Sequence, residues 1–221
     1  MDGQTRSDLT QYLFEKAYSR LKMLYCGEHS APDITILSRF YQEKMILAGS
    51  ELYMRHLDFP GRVQETANQK GEHIFVRGTV GASFMAYLLG ATDINPLPRH
   101  EYCSHCHTTK FVGAGSPFDM APLKCSCGAA LETDGHNLPF KSNLKSILTE
   151  RIQVRVSYAF FDEAKAMIRD EPGDPSIAAH ITFVPEKVLD KYRELEKITG
   201  FKMREIGFNE QSLAFFSVYG A

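Results

Sequence analysis

Two closely spaced pairs of cysteines constrain this chain more than any other feature of its sequence. Cys103 and Cys106 are separated by two residues, and Cys125 and Cys127 by one. Tetrahedral zinc needs four such ligands, and each short turn supplies two of them. The spacing therefore predicts a structural zinc site in a ribbon whose first strand covers 108–112 and whose turn covers 113–117.

The second cysteine pair is one residue shorter than the usual C-x-x-C knuckle. His105 or His107 is therefore an alternative ligand, because imidazole nitrogen also binds zinc. A ribbon that has lost its metal is the other interpretation of the same residues.

A glycine-rich turn precedes the cysteines, between an apolar run at 74–76 and a helical pattern that begins at Val80. A strand, a tight turn and a helix in this order leave unpaired backbone N–H groups where an anion is favoured. The pattern predicts phosphate binding by Arg77, Gly78, Thr79, Gly81 and Ser83. An ordinary tight turn is the competing interpretation, because a G-x-x-G pattern is short.

Six short motifs follow one another in an order that resembles a known family. They are RGTVGASF at 77–84, NPLP at 95–98, C-x-x-C at 103–106, FD at 118–119, C-x-C-G at 125–128 and DGHNLPF at 134–140. Together they resemble the palm region of the PolC-type α subunit of bacterial DNA polymerase III. The resemblance implies an α+β fold, a polymerase β-like nucleotidyltransferase palm with a mixed sheet and helices, a zinc-ribbon insertion, and a Gly/Ser loop that holds the triphosphate of the incoming nucleotide.

The acids that bind magnesium in that family are replaced in this chain. Residues 151–159 alternate apolar and polar side chains, which is typical of a half-buried strand. The resemblance implies an Asp-x-Asp pair on this strand, and the two positions hold Gln153 and Arg155; the third acid corresponds to Arg204 or Glu205 at 201–207. Two-metal phosphoryl transfer needs anionic oxygen ligands, so we do not expect Mg²⁺ as a cofactor.

These features favour a palm module that binds nucleotide phosphate, nucleic acid or a replication protein without polymerase catalysis. One alternative is an active nucleotidyltransferase or DNA polymerase fragment that uses displaced carboxylates at Asp93, Asp162 or Glu163. Another is a purely structural zinc protein that acts through a protein partner. Asp134 and His136 could have a functional role, but turn chemistry is the simpler interpretation of both residues.

Helical periodicity organises the remaining sequence. It predicts helices at 7–25 with Ser7 as the cap, at 36–49, and at 52–57, where Pro60 stops the third, followed by a polar connector at 61–71. We assign 1–72 to an N-terminal helical part, 99–131 to the ribbon, and 73–98 with 132–221 to the palm-like core. The core is predicted to contain a strand at 180–184, helices at 161–169 and 185–199, and a closing element at 212–219.

Charge and cysteine usage limit the class of protein. A net charge of −2 and a pI near 6.4 argue against a protein that coats nucleic acid non-specifically. The sequence has no apolar run long enough to span a bilayer, and four of its five cysteines stand at metal-ligand spacing. We therefore expect a cytoplasmic protein with no membrane partner.

Overall fold

The structure is a computed structural model that describes residues 3–27, 31–49, 51–77, 79–113, 123–139, 152–171 and 175–199. Three helices come first, α1 (Gly3–Tyr25), α2 (Ile34–Leu47) and α3 (Glu51–Gln69). Strand β1 (Ile74–Arg77), a 3₁₀ turn (Thr79–Ala82) and α4 (Phe84–Leu88) follow. The later elements are β2 (His100–Tyr102), β3 (Thr109–Phe111), β4 (Glu132–Asp134), β5 (Ile152–Val156), α5 (Tyr158–Arg169), α6 (Pro175–His180), β6 (Ile181–Pro185) and α7 (Lys187–Thr199).

The larger sheet has β5 at its centre and strands in mixed directions. Its order is β1-β5-β6, with β5 antiparallel to β1 and parallel to β6. Ile152, Val154 and Val156 are buried, and α3, α5 and α6 pack on the sheet. Gln153 and Arg155 alternate with these residues and are half-buried on the opposite face. The described chain is thus α+β with mixed sheets, as predicted at that level.

A second, smaller sheet carries the cysteine region. Its order is β3-β2-β4 and all of its pairs are antiparallel. Strand β3 falls inside the predicted 108–112 strand, whereas β4 lies just past residue 131, where we placed the end of the ribbon. The sheet of the ribbon therefore includes 132–134, and most of the predicted 113–117 turn lies outside the described residues.

The prediction for the third helix was wrong. Helix α3 continues through Pro60 to Gln69, so most of the predicted 61–71 connector is helical. A proline inside a helix costs about 3 kcal/mol. The cost is offset by apolar residues that α3 buries on both sides of Pro60: Met54, Leu57, Phe59, Val63 and Ala67. Gly61 is required inside α3 for a separate reason. A Cβ at this position would overlap the carbonyl oxygen of Leu89 just after α4.

Three smaller predictions also need correction. Helix α1 already includes Gly3, so Ser7 is not its cap. Pro185 ends β6 instead of opening the next helix. The strand predicted at 180–184 begins one residue later, at Ile181, because a helix that we did not predict, α6, ends at His180. The elements predicted at 201–207, which include Arg204, and at 212–219 lie outside the described residues.

Glu43 on α2 holds the start of α4. Its carboxylate is 1% exposed and accepts hydrogen bonds from the Ser83 hydroxyl at 2.7 Å and from the backbone N–H groups of Phe84 and Met85, both at 2.9 Å. The first N–H groups of a helix have no partner within the helix, and a carboxylate is the ligand they favour. An acid from a neighbouring helix therefore caps α4.

Arg39, one turn before Glu43 on α2, holds the same segment by its carbonyl groups. Its Nε donates to Glu43 at 2.8 Å, and its two Nη atoms donate to the carbonyl oxygens of Ala82 at 2.8 Å and Leu138 at 3.1 Å. Glu43 thus binds the donors of 83–85, and Arg39 binds the carbonyl acceptors of Ala82 and Leu138. The pair also joins α2 to the chain that returns from the ribbon.

Replacing Glu43 with Ala is expected to destabilise the fold by about 3 kcal/mol or more, because it leaves a buried arginine and three donors without their acceptor. Urea denaturation at neutral pH measures this change. The matched control is Glu15→Ala on α1, where the exposed carboxylate accepts from Gln11, its one hydrogen-bond donor among the residues that the structure describes. That variant is expected to change stability by less than about 0.5 kcal/mol. Equal effects of the two variants would contradict the capping role.

Candidate metal centre and phosphate turn

The four predicted cysteines come together at one end of the ribbon. Their sulfur atoms all lie within 4.8 Å of one another. Cys103 and Cys127 approach to 3.5 Å, and Cys106 and Cys125 to 3.4 Å. A tetrahedral zinc site with Zn–S bonds of about 2.3 Å has sulfur atoms about 3.8 Å apart. The sulfur positions fit a metal ion of this size.

Left-handed residues shape both knuckles. His107 has φ of 55°, and its N–H donates to the Cys103 carbonyl at 2.8 Å. Gly128 has φ of 89°, and its N–H donates to the Cys125 carbonyl at 2.9 Å. The one-residue spacing of the second pair therefore still brings both of its sulfurs to the centre.

The thiols differ in acidity because they crowd one another. The Thr108 hydroxyl lowers the pKa of Cys106, and the backbone N–H of Cys127 lowers the pKa of Cys125 to about 6. The Ala129 N–H acts to lower the pKa of Cys127, but the neighbouring sulfurs outweigh it and raise that pKa to about 11. Four thiolates in so small a space need a cation between them, and a bound metal requires deprotonated sulfur.

The alternative ligands do not join this group. The ligand atoms that cluster are the four cysteine sulfurs, and neither His105 nor His107 contributes. In the part of the chain that the structure describes, these cysteines are also the one set of three or more His, Cys, Asp or Glu residues placed to hold a metal. Asp93, Asp162 and Glu163 form no such set, and Glu163 instead pairs with Lys70 at 2.6 Å.

A buried polar network joins the ribbon to the body. Asp134, the last residue of β4, accepts from the Tyr87 hydroxyl of α4 at 3.2 Å and from the Asn95 amide at 2.7 Å. The same amide donates to the Tyr25 hydroxyl of α1 at 2.7 Å. Burial is the first cause that raises the pKa of both tyrosines, with the Asp134 charge second. Both hydroxyls therefore stay neutral hydrogen-bonding groups.

Two histidines lie close to this network. Burial lowers the pKa of His100 and of His136. His100 shares a register position with Asp134, and its Nδ1 lies 2.8 Å from the Pro98 carbonyl oxygen. Gly135 has φ of 94°, and a Cβ there would overlap Pro98, so the turn after β4 requires glycine. Asp134 and His136 thus lie at a packed junction between the ribbon and the body.

The glycine-rich turn follows β1, as the motif requires. Arg77 ends β1, Thr79 and Gly81 lie in the 3₁₀ turn, and Gly78 lies outside the described residues. Ser83 is 2% exposed, donates to Glu43 and accepts from the Ala86 N–H at 3.1 Å. Its hydroxyl is therefore engaged as a helix cap.

The face of β5 that carries Gln153 and Arg155 holds an ion pair. Gln153 is opposite Arg77 in the register with β1, and Arg155 is opposite Phe75. The Arg155 guanidinium donates from Nη1 to Glu186 at 2.5 Å. Sequence reasoning missed Glu186. A signal was available, since an arginine among the polar positions of a half-buried strand needs a partner acid.

Comparisons with known proteins show that part of this chain is similar to a DNA polymerase. A stretch of 134 residues, 59% of the chain, is 36% identical to "DNA polymerase III PolC-type" of Staphylococcus epidermidis. The protein of the same name from Thermotoga petrophila is 35% identical over 140 residues, and that from Latilactobacillus sakei is 44% identical over 72. These matches cover 5 to 10% of the relatives. The matched part of this chain, 31 to 59% of it, therefore corresponds to a short segment of them.

A scan against protein-family models found no match. Among the described helices, none combines the length and apolarity that crossing a membrane requires. The similarity to the polymerases, the cysteine cluster and the polar face of β5 are the three observations from which a function can be inferred.

Elemental analysis of protein purified without added metal is expected to find about one zinc per chain. Cys106→Ser should lose the metal, because three sulfurs and a hydroxyl hold zinc poorly. Cys26→Ser is the matched control and should retain it, since Cys26 is outside the cluster. A folded, metal-free protein with four reactive thiols would contradict this prediction.

Proposed function

Since this chain is a relative of a segment of PolC-type DNA polymerase III, we propose that it is a palm-like module that binds nucleotide phosphate and does not polymerise nucleotides. The observation that carries the proposal is the chemistry of β5. The amide of Gln153 and the guanidinium of Arg155 occupy its polar face, and Glu186 pairs with Arg155. Nucleic acid or a replication protein is the partner that such a module would serve.

We expect no catalysis because of the charges of the side chains on the polar face of β5. Two divalent ions a few Å apart need several anionic oxygens, and a guanidinium repels them. Gln153 is neutral, Arg155 is cationic, and Glu186 is already paired with Arg155. Without the ions, nothing activates a 3′-hydroxyl or neutralises the charge that develops on the phosphates.

The retained binding function rests on the turn between β1 and α4. Arg77 ends β1 with a cationic residue type, and the first N–H groups of the 3₁₀ turn that follows have no partner within that turn. Glu43 and Arg39 hold the far end of this segment in place. A loop held in one conformation before binding loses less entropy when a ligand arrives.

The cysteine ribbon has a structural role in this proposal. Zinc in a closed four-sulfur site supplies folding energy and no open coordination position for chemistry. The ribbon sheet in turn supports α4 through Asp134 and Tyr87. The proposed zinc therefore supports the helix that follows the phosphate turn.

Titration with a nucleoside triphosphate is expected to shift the backbone amide signals of Gly78, Thr79 and Gly81. The physical reason is that a phosphate oxygen polarises the N–H groups it binds. The control ligand is the unphosphorylated nucleoside, which should leave these signals in place. Absence of shifts at millimolar triphosphate would reduce the turn to a structural element.

Primer extension is expected to be absent with Mg²⁺ and with Mn²⁺, because the β5 face holds no metal-binding pair. The Gln153→Asp, Arg155→Asp double variant should gain Mn²⁺ binding, measured by paramagnetic broadening, since it supplies two carboxylates on one face. Arg155→Gln is the control, which removes the cation without adding an acid. Template-dependent extension by the unaltered chain would refute the proposal.

A further inference from the structure

We propose that Cys127 is a site of oxidative modification by hydroperoxides, and that the reaction ends in a disulfide between Cys127 and Cys103 that replaces the metal as the link between the two knuckles. The first knuckle is 103–106 and the second is 125–128. The inference goes beyond the proposed function and rests on the predicted zinc site. It adds a reaction to a cluster whose other role is structural.

The four cysteines differ in their exposure to solvent. Cys127 is exposed, Cys106 and Cys125 are half-buried, and Cys103 is 0% exposed. A cysteine that binds a metal is a thiolate whatever its acidity as a free thiol, so exposure decides which sulfur an oxidant reaches first. A peroxide in solution therefore meets Cys127 before the other three.

The Thr108 hydroxyl protects the two half-buried sulfurs. The three outer cysteines each accept a backbone N–H, Cys106 from Thr108, Cys125 from Cys127 and Cys127 from Ala129. The hydroxyl is an additional contact, 3.2 Å from the Cys106 sulfur and 3.9 Å from the Cys125 sulfur. A hydrogen bond donated to a thiolate withdraws charge from it and makes it a weaker nucleophile. Cys127 is therefore the preferred target by chemistry as well as by exposure.

Cys103 is placed to complete the reaction. Its sulfur lies 3.5 Å from the sulfur of Cys127. Its N–H donates to the Thr108 carbonyl at 3.0 Å, and its carbonyl accepts from the His107 N–H at 2.8 Å, so its position is fixed. A sulfenic acid with a second thiol this close condenses with it to a disulfide. Cys103 is thus the resolving thiol for Cys127.

The reaction balances in atoms and electrons. The Cys127 thiolate attacks one oxygen of hydrogen peroxide, the O–O bond breaks and hydroxide leaves, which gives a sulfenic acid. The Cys103 thiolate then attacks the Cys127 sulfur, the S–O bond breaks and a second hydroxide leaves as the S–S bond forms. The two thiolates together lose two electrons, the peroxide gains them, and solvent protonates both hydroxides to water.

This disulfide removes two of the four metal ligands. The thiolates that remain, Cys106 and Cys125, are too few for a closed tetrahedral site, so we expect the zinc to leave. Their sulfurs lie 3.4 Å apart, and a second equivalent of peroxide would join them in the same way. Each of these disulfides connects one knuckle to the other, as the metal does. The ribbon therefore stays closed, and its junction with the body at Asp134 is retained.

Hydrogen peroxide added to the full, zinc-loaded chain tests the inference. Zinc release is followed with a chromogenic chelator, and disulfides are mapped by mass spectrometry after the free thiols are alkylated. We expect about one zinc to leave each chain. We expect it to leave with the first disulfide, between Cys103 and Cys127. A first disulfide between Cys106 and Cys125 or within one knuckle overturns the inference. So does oxidation to sulfinic acid without a disulfide, or a cluster that stays reduced in a large excess of peroxide.

Thr108→Val tests the preference among the sulfurs without removing a ligand. It keeps the shape of the side chain and removes the hydroxyl, so Cys106 and Cys125 should react about threefold faster. A larger share of the first disulfides should then join these two. Cys26→Ser is the matched control, because it removes a thiol outside the cluster, and it should change neither the rate nor the pairing. Unchanged rate and pairing in Thr108→Val would contradict the protection that we assign to the hydroxyl.

Near-ultraviolet circular dichroism tests whether the disulfide replaces the metal as the link. The chain contains no tryptophan, so its tyrosines dominate this signal, and Tyr25 and Tyr87 lie at the junction of ribbon and body. The oxidised, zinc-free chain should keep the signal, whereas a reduced chain stripped by a chelator should lose part of it. Equal loss in the two forms would overturn the linking role. Dithiothreitol with added zinc should return the oxidised chain to the metal-bound form.

The outcomes are distinguishable from those of the earlier proposals. None of these measurements depends on nucleotide binding, so the phosphate turn can fail while the inference holds. A chain purified without zinc would contradict the metal prediction, and the order of disulfide formation would still be measured on the reduced protein.

Discussion

The buried carboxylate of Glu43 is the interaction on which the region between β1 and α4 depends. It is enclosed by three donors from 83–85 and by Arg39, and the arginine in turn binds the carbonyl of Ala82. A charge removed from water is tolerated only when it is paired and hydrogen-bonded on all sides. The same requirement makes the arrangement specific, since any displacement of the segment would leave a buried charge without partners.

The β5 face illustrates that the geometry of a strand does not determine the chemistry of its polar face. The alternation of buried Ile152, Val154 and Val156 fixes which side chains point away from the core, whatever those side chains are. Gln153 and Arg155 occupy those positions, and the charge of Arg155 is met by Glu186 from the neighbouring strand end. An arginine on this face requires an acid nearby, and the parallel pairing of β5 with β6 provides a place for it.

Elements with strong local patterns were predictable from sequence, and those decided by distant partners were not. The alternation at 152–156, the paired cysteines and the apolar run at 74–76 depend on neighbouring residues, and the structure places each as a strand or cluster where expected. Pro60 and Gly61 resembled a helix end because proline and glycine are unfavourable inside helices. The close contact with Leu89 that explains Gly61 involves a residue far along the chain, which the local sequence does not show.

The capping acid was missed for a similar reason. Glu43 lies on the buried stripe of α2 with Ile36, Phe40 and Leu47. A charged residue on such a stripe signals a buried partner but does not identify it. The partner donors lie 40 or more residues away, and only the folded arrangement brings them to the carboxylate.

The hydrogen bonds of Asp134 have a consequence for how such a chain can change by insertion and deletion. Asp134 ends the last strand of the ribbon, yet it accepts from Tyr87 and Asn95 of the body, and Asn95 also serves Tyr25. An appendage that packs as a unit of its own would ordinarily be free to be lost or exchanged between proteins. Here a clean excision would strip the acceptor from an enclosed amide and a phenol, so loss of the ribbon would also cost the body stability.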